Sequence, residues 1–164
     1  MNPTDGVFRR ALSKLLDEIF DGPPGVEAYL LNAGDRGLLG ELDAIPADTA
    51  SALTDSGKAS IAAHVEHVLY GLALLIRWFG GESDPFSRAD YTESWRHTSV
   101  RQDEWTNLRE ALRRAATEWR DAVATRADWD DAKAAGAMAS AAHTAYHLGA
   151  IRQILAAHRP GNSA

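Results

Sequence analysis

His143 and His147 stand four residues apart in GAMASAAHTAYHLGAIRQIL, a stretch built mostly of Ala, Leu and Ile. Four residues is roughly one helical turn, so on a helix both imidazoles leave the same face, with Cβ atoms about 5–6 Å apart. Two neutral imidazoles at that separation can share one metal ion. A third histidine from another segment would complete a facial triad, and AAHVEHVLYGL offers two candidates, His64 and His67. The H-x-x-x-H spacing arises often by chance, and taken alone it selects a metal site no more than an ordinary polar pair. Three imidazoles suit zinc, nickel, iron or copper, and availability decides among these.

The other polar candidates are weaker. His97, in WRHTSV, falls in a stretch without period and reads as surface. His158 falls at the end of the last helix, where a cation or donor favours the exposed carbonyls, so it reads as a cap. Glu66 and Asp103 carry carboxylates capable of general-base chemistry, yet their spacing does not select them over solvated charge. Trp78, Trp95, Trp105 and Trp119 read most simply as core anchors; Trp78, on the row of His67, is also placed to line a ligand pocket.

The elements that must position these residues read as helices. Apolar residues from Val7 to Phe20 recur at helical spacing and stop at Asp21-Gly-Pro-Pro-Gly. Residues 26–55 are irregular, with a short helical piece in LLGELDAI. A second long helix is expected from about Ser56 to Phe79, ended by Gly80-Gly81. It is apolar nearly all round, with Glu66 and Arg77 marking a narrow wet face. On a helical wheel His64 lies near the centre of the buried side and His67 toward its border, beside Gly71, Leu74 and Trp78. Residues 82–100 read as a polar, aromatic loop. Two further helices are expected from about Gln102 to Arg126 and Ala134 to Ala157, separated by a solvated turn within RADWDDAK, and residues 159–164 as a frayed tail. Four long helices without strand-like alternation predict an all-α four-helix bundle in a single domain over residues 1–164.

Composition narrows the chemistry. The net charge of -6 opposes non-specific nucleic-acid binding, and no basic recognition helix is evident. The chain has no cysteine, which removes thiolate ligands and leaves His, Asp, Glu or water to hold a metal. The lack of cysteine fits a cytoplasmic location. The N-terminus lacks the apolar core of a signal peptide, and no apolar run reaches the ~18–20 residues that span a bilayer.

The order of these features resembles the DinB/YfiT-like superfamily of bacterial four-helix bundles. The residues that carry the resemblance are SIAAHVEHVLYGLALLIRW and HTAYHLGAIRQIL, with LLGELDAIPADTAS leading in. The resemblance covers most of the chain. It implies a divalent metal, zinc or nickel above all, held by His67, His143 and His147. The wheel alone slightly favours His64 over His67, whereas the match to the family motif favours His67. One position departs from the pattern: relatives often carry Gln where this chain has Ala150, so a polar group near the site is missing, and Gln153 one turn on replaces it only in part.

The resemblance implies a metal-dependent enzyme, a transferase or isomerase using a low-molecular-weight thiol, or a hydrolase. With no cysteine in the chain, the thiol would be external. It also implies a homodimer. The competing expectation is a non-catalytic dimeric metal-binding or stress-response module, favoured by Ala150 and the absence of an evident general base.

Overall fold

Leu12, Leu16, Ile19 and Phe20 recur at helical spacing and are all buried, forming the inner face of the first helix, Pro3–Asp21 (α1). Burying each such side chain contributes about 1.5–3 kcal/mol, so the helix is held by packing more than by intrinsic propensity. The computed structural model of the chain describes residues 3–53, 59–96 and 98–158. The five helices that follow α1 are Leu38–Asp43 (α2), Ala47–Ser51 (α3), Ile61–Phe79 (α4), Gln102–Thr125 (α5) and Asp131–Ala157 (α6). The described residues are helical or irregular and contain no strand.

α1 begins four residues before the expected Val7, and α6 three residues before Ala134. In α6 the cause is local: the Asp130 side chain accepts the Lys133 backbone N–H at 2.7 Å, so the cap stands ahead of the apolar pattern. Ser60 caps α4 in the same way, accepting from Ala63 N at 3.2 Å. The expected start near Ser56 lies outside the described residues, as do the tail at 159–164 and His97. His158 closes α6 as expected, its Nδ1 lying 2.8 Å from the Ile154 carbonyl.

α4 packs against α5 and α6, and α1 packs against the same two helices from the other side. Trp105 and Trp119 on α5 are fully buried between them. Burying an indole N–H without a partner would cost free energy, and both are paired. Trp105 Nε1 donates to the Ile45 carbonyl at 2.7 Å, and Trp119 Nε1 donates to Ser140 Oγ at 3.0 Å.

Between α1 and α4 the expected irregular stretch carries two short helices, and arginines tie it down. Arg152 on α6 reaches Asp35, Glu41 and the Arg36 carbonyl, while Arg109 and Arg113 on α5 converge on Asp43. Gly37 crosses the end of α1 so closely that a Cβ there would collide with the backbone of Phe20, Asp21 and Gly22. Among the described residues no helix is long and apolar enough to cross a membrane.

Candidate metal centre

α4 brings His64 and His67 to the groove facing α6, and α6 brings His143 and His147 to the same groove from the other side. One potential ligand nitrogen from each of His67, His143 and His147 lies within 4.8 Å of the other two. His67 Nε2 is 3.2 Å from His143 Nε2, and His147 Nε2 is 3.0 Å from that same atom. A first-row metal bound at ~2.0–2.1 Å sets nitrogens about 3 Å apart, so the group already has the right scale. His147 is fully buried, His67 half-buried, and His143 the most solvent-facing of the three.

The hydrogen-bond partners of these nitrogens decide what they can present. The Ser94 hydroxyl donates to the Tyr91 carbonyl at 2.7 Å, which commits its only proton. Ser94 Oγ also lies 2.8 Å from His67 Nδ1, so there it must accept, and the His67 proton resides on Nδ1. That tautomer leaves a lone pair on His67 Nε2, the atom facing His143. On the other wall, His147 Nδ1 lies 2.8 Å from His64 Nδ1. One proton serves that contact; placed on His147, it leaves His147 Nε2 with a lone pair as well. His143 Nε2 then faces two lone pairs and has at most one proton to offer. Three nitrogens crowd together with too few protons to satisfy one another, and a cation at their centre would resolve the conflict.

Burial enforces the same state. Burial, then the neighbouring charges of His143 and His64, pushes the pKa of His67 down to about 4. His147 is pushed to about 3, by burial first and then by His143, His64 and His67. Burial also lowers His64 and His143. All four rings are therefore neutral at pH 7, the form in which imidazole binds metals.

The helical wheel slightly favours His64 as the third ligand, whereas the family resemblance favours His67, the expected ligand. The structure groups His67 with His143 and His147 and sets His64 behind His147, where it orients that ring. His64 is buried on the inner face, as the wheel indicates, and its Nδ1 meets the Nδ1 of His147 and not the converging Nε2 atoms. Gln153, one turn beyond Ala150, is exposed. The positions that support the ring nitrogens here are Ser94 and His64.

Ser94 and Trp95 had no sequence signal as site residues. Both lie in the expected loop, within a single 3₁₀ turn, Glu93–Trp95, that packs on α4. Trp95 stacks on His67 with ring centroids 4.3 Å apart and 23° between planes, and meets His64 edge-on at 5.2 Å. The expected core anchor is thus a wall of the histidine cluster. The only available hint was a Ser-Trp pair in an otherwise polar loop, and that pattern does not name a partner. Asp103 pairs with Arg101 on the surface, away from the four rings.

Compared with known proteins, the chain matches no family model, no curated protein and no solved structure. The three-histidine geometry therefore stands on this chain's own residues.

Proposed function

We propose that this chain is a DinB/YfiT-like four-helix bundle that binds one divalent metal, zinc or nickel, through His67, His143 and His147, and acts as a metal-dependent enzyme. The observation that carries the reading is the convergence of Nε2 atoms whose protons are committed elsewhere or too few. Three neutral nitrogens and no thiolate suit a borderline divalent ion and leave coordination positions open.

A divalent ion bound there would supply a Lewis acid able to lower the pKa of a water or thiol on the open side. The chain's own residues do the rest. Ser94 holds His67 in one tautomer, and His64 steadies His147. Trp95 covers the rings from one side and limits water there. His143, at the solvent-facing edge, marks where a small molecule would approach. The reaction classes that fit are transfer or isomerisation with an external low-molecular-weight thiol, and hydrolysis.

The second reading, a non-catalytic metal-binding or stress-response module, draws support from the polar neighbours of the rings. Among the described residues these are Ser94 and other imidazoles, not a carboxylate placed as a general base. Either reading is compatible with a homodimer, for which the exposed Val7, Val26, Tyr29 and Leu30 offer apolar surface.

Elemental analysis by plasma mass spectrometry, run on the parent and on His143→Ala, tests the site. The expected result is about one equivalent of zinc or nickel in the parent and none in a folded variant. Full occupancy in the variant would remove His143 from the ligand set. No metal in either after reconstitution would end the metal reading. Metal without thiol-dependent or hydrolytic turnover would favour the non-catalytic module.

A further inference from the structure

A cleft of about 450 Å³ opens directly beside His143. One wall is α4, through Gly71, Leu74, Leu75 and Trp78; the other is α6, through Gly136 and Ala139 up to His143 itself. Phe86 and Tyr91, from the segment that also supplies Ser94 and Trp95, close one side. The same stretch of chain therefore orients His67 and borders the cleft.

The lining is carbon-rich. Among the described residues that line it, none carries a charged side chain. The Ser140 hydroxyl is already used, donating to the Ala137 carbonyl at 2.7 Å and accepting from Trp119 Nε1 at 3.0 Å. Two glycines shape the space. A Cβ at Gly136 would come within 2.7 Å of the Trp78 ring, so any side chain there would displace the indole that forms the wall. Gly71 lies against the His143 ring, where a Cβ would sit 3.9 Å from Cε1, so the cleft floor runs directly onto that imidazole. A larger cleft of about 600 Å³ lies over α1, flanked by Arg10 and Lys14, but it shares no lining residue with the histidine cluster.

We infer that the cleft beside His143 receives the uncharged, apolar body of a small-molecule substrate whose donor head is held at the three-histidine centre. This rests on the metal reading above and adds the substrate class to it. The volume falls within the ~300–1,000 Å³ typical of small-molecule pockets. Continuity with His143 places the head, because it is the lining residue that belongs to the ligand group. With no cation among the described lining residues, a substrate carrying a carboxylate on its body is disfavoured, since that charge would lose water without gaining a partner there.

The test uses zinc-loaded protein and three hydroxamate probes, measured by calorimetry, with zinc content determined separately. Octanohydroxamate is expected to bind at least thirtyfold more tightly than acetohydroxamate, and suberic acid monohydroxamate, with its terminal carboxylate, to lose most of that gain. Ala139→Glu places a charge in the cleft at an exposed helix position, so the fold should tolerate it. It is expected to abolish the chain-length gain, read as the ratio of octanohydroxamate to acetohydroxamate affinity within the same zinc-loaded variant, so that any change in the metal site itself cancels. Equal affinity for the short and long probes, or an undiminished gain in Ala139→Glu, would overturn the inference. Octanamide, titrated into metal-free protein, separates the two ideas. Binding that Ala139→Glu weakens at least tenfold supports the cleft even if zinc is not retained, in which case the metal reading alone fails. No octanamide binding together with no chain-length gain overturns the cleft.

Discussion

Two buried polar sites in this molecule solve the same problem in opposite ways. The Glu18 carboxylate, on α1, is 2% exposed and receives the backbone N–H groups of Tyr29, Leu30 and Leu31 at 2.7–3.0 Å. Burial alone would raise its pKa, but the three donors together outweigh it and lower the pKa instead. Every partner comes from the chain, and the result is a closed structural joint between α1 and the following loop. The histidine cluster is equally polar, yet its members are all of one kind. Imidazoles face imidazoles, and their shared nitrogens have fewer protons than contacts. A polar group satisfied from within holds a fold together; a group of acceptors left facing one another is arranged for something from outside.

The comparison breaks most readily at the ligands. We predict that His143→Ala lowers metal affinity by more than the ~10–100-fold typical of a supporting residue. The same change should move the metal-free unfolding free energy by only about 0.5 kcal/mol, because His143 lies toward the surface. Competition with a chelating dye and urea unfolding would measure the two. A large loss of metal-free stability would mean that the cluster is itself a structural joint.

Glu18→Gln should give the reverse pattern. Weakening charge-assisted bonds from three backbone donors is expected to cost about 2–3 kcal/mol, seen as a lower urea midpoint with metal affinity unchanged. Unaltered stability would show that the loop finds other partners.

Ser94→Ala sharpens the hydrogen-bond argument. Without the serine oxygen, His67 is no longer held to one tautomer, and metal affinity is expected to fall ~10–100-fold. Metal-free stability should fall only modestly. An unchanged affinity would remove Ser94 from its orienting role.

The last expected effect is on pH dependence, and it separates the two sites by window. His67 and His147 have folded-state pKa values of about 4 and about 3, below the ordinary 6.5. Between those limits the unfolded chain binds more protons, so metal-free stability should decline as pH falls below 6.5 and level off once the folded rings also protonate. Glu18 works lower. Its folded pKa lies below 4.5, so its contribution is intact above 4.5 and is lost as pH falls through the depressed value. Urea midpoints from pH 7.5 to 5 should therefore report mainly on the histidines. Substituting Gln at His147 should make that decline shallower without removing it, since His67 still titrates below its ordinary value, whereas Glu18→Gln should leave it unchanged.

Much of this was legible in the chain itself. Apolar periodicity located α1 and α5, length and terminating signals located α4 and α6, and the i, i+4 spacing put His143 and His147 together because helix geometry leaves little choice. What the pattern missed was local: Asp130 caps α6 ahead of its expected start, and of the two short helices only the one in LLGELDAI was expected, Ala47–Ser51 lying in a stretch too short and too rich in Asp and Pro to show a period. The competition between His64 and His67 could not be settled by burial, since the more buried ring is the one set behind the site.

The amino-acid sequence by itself determined the helices, the absence of thiolate ligands and the face on which each histidine stands, because these depend on residue type and near-neighbour spacing. Only the tertiary structure decided which nitrogens converge. That outcome depends on Ser94 reaching His67 across 27 residues and on His64 meeting His147 across 83, contacts set by how the helices pack. A proton's position on an imidazole is governed by the group across from it, and that group is a neighbour in space, not in sequence.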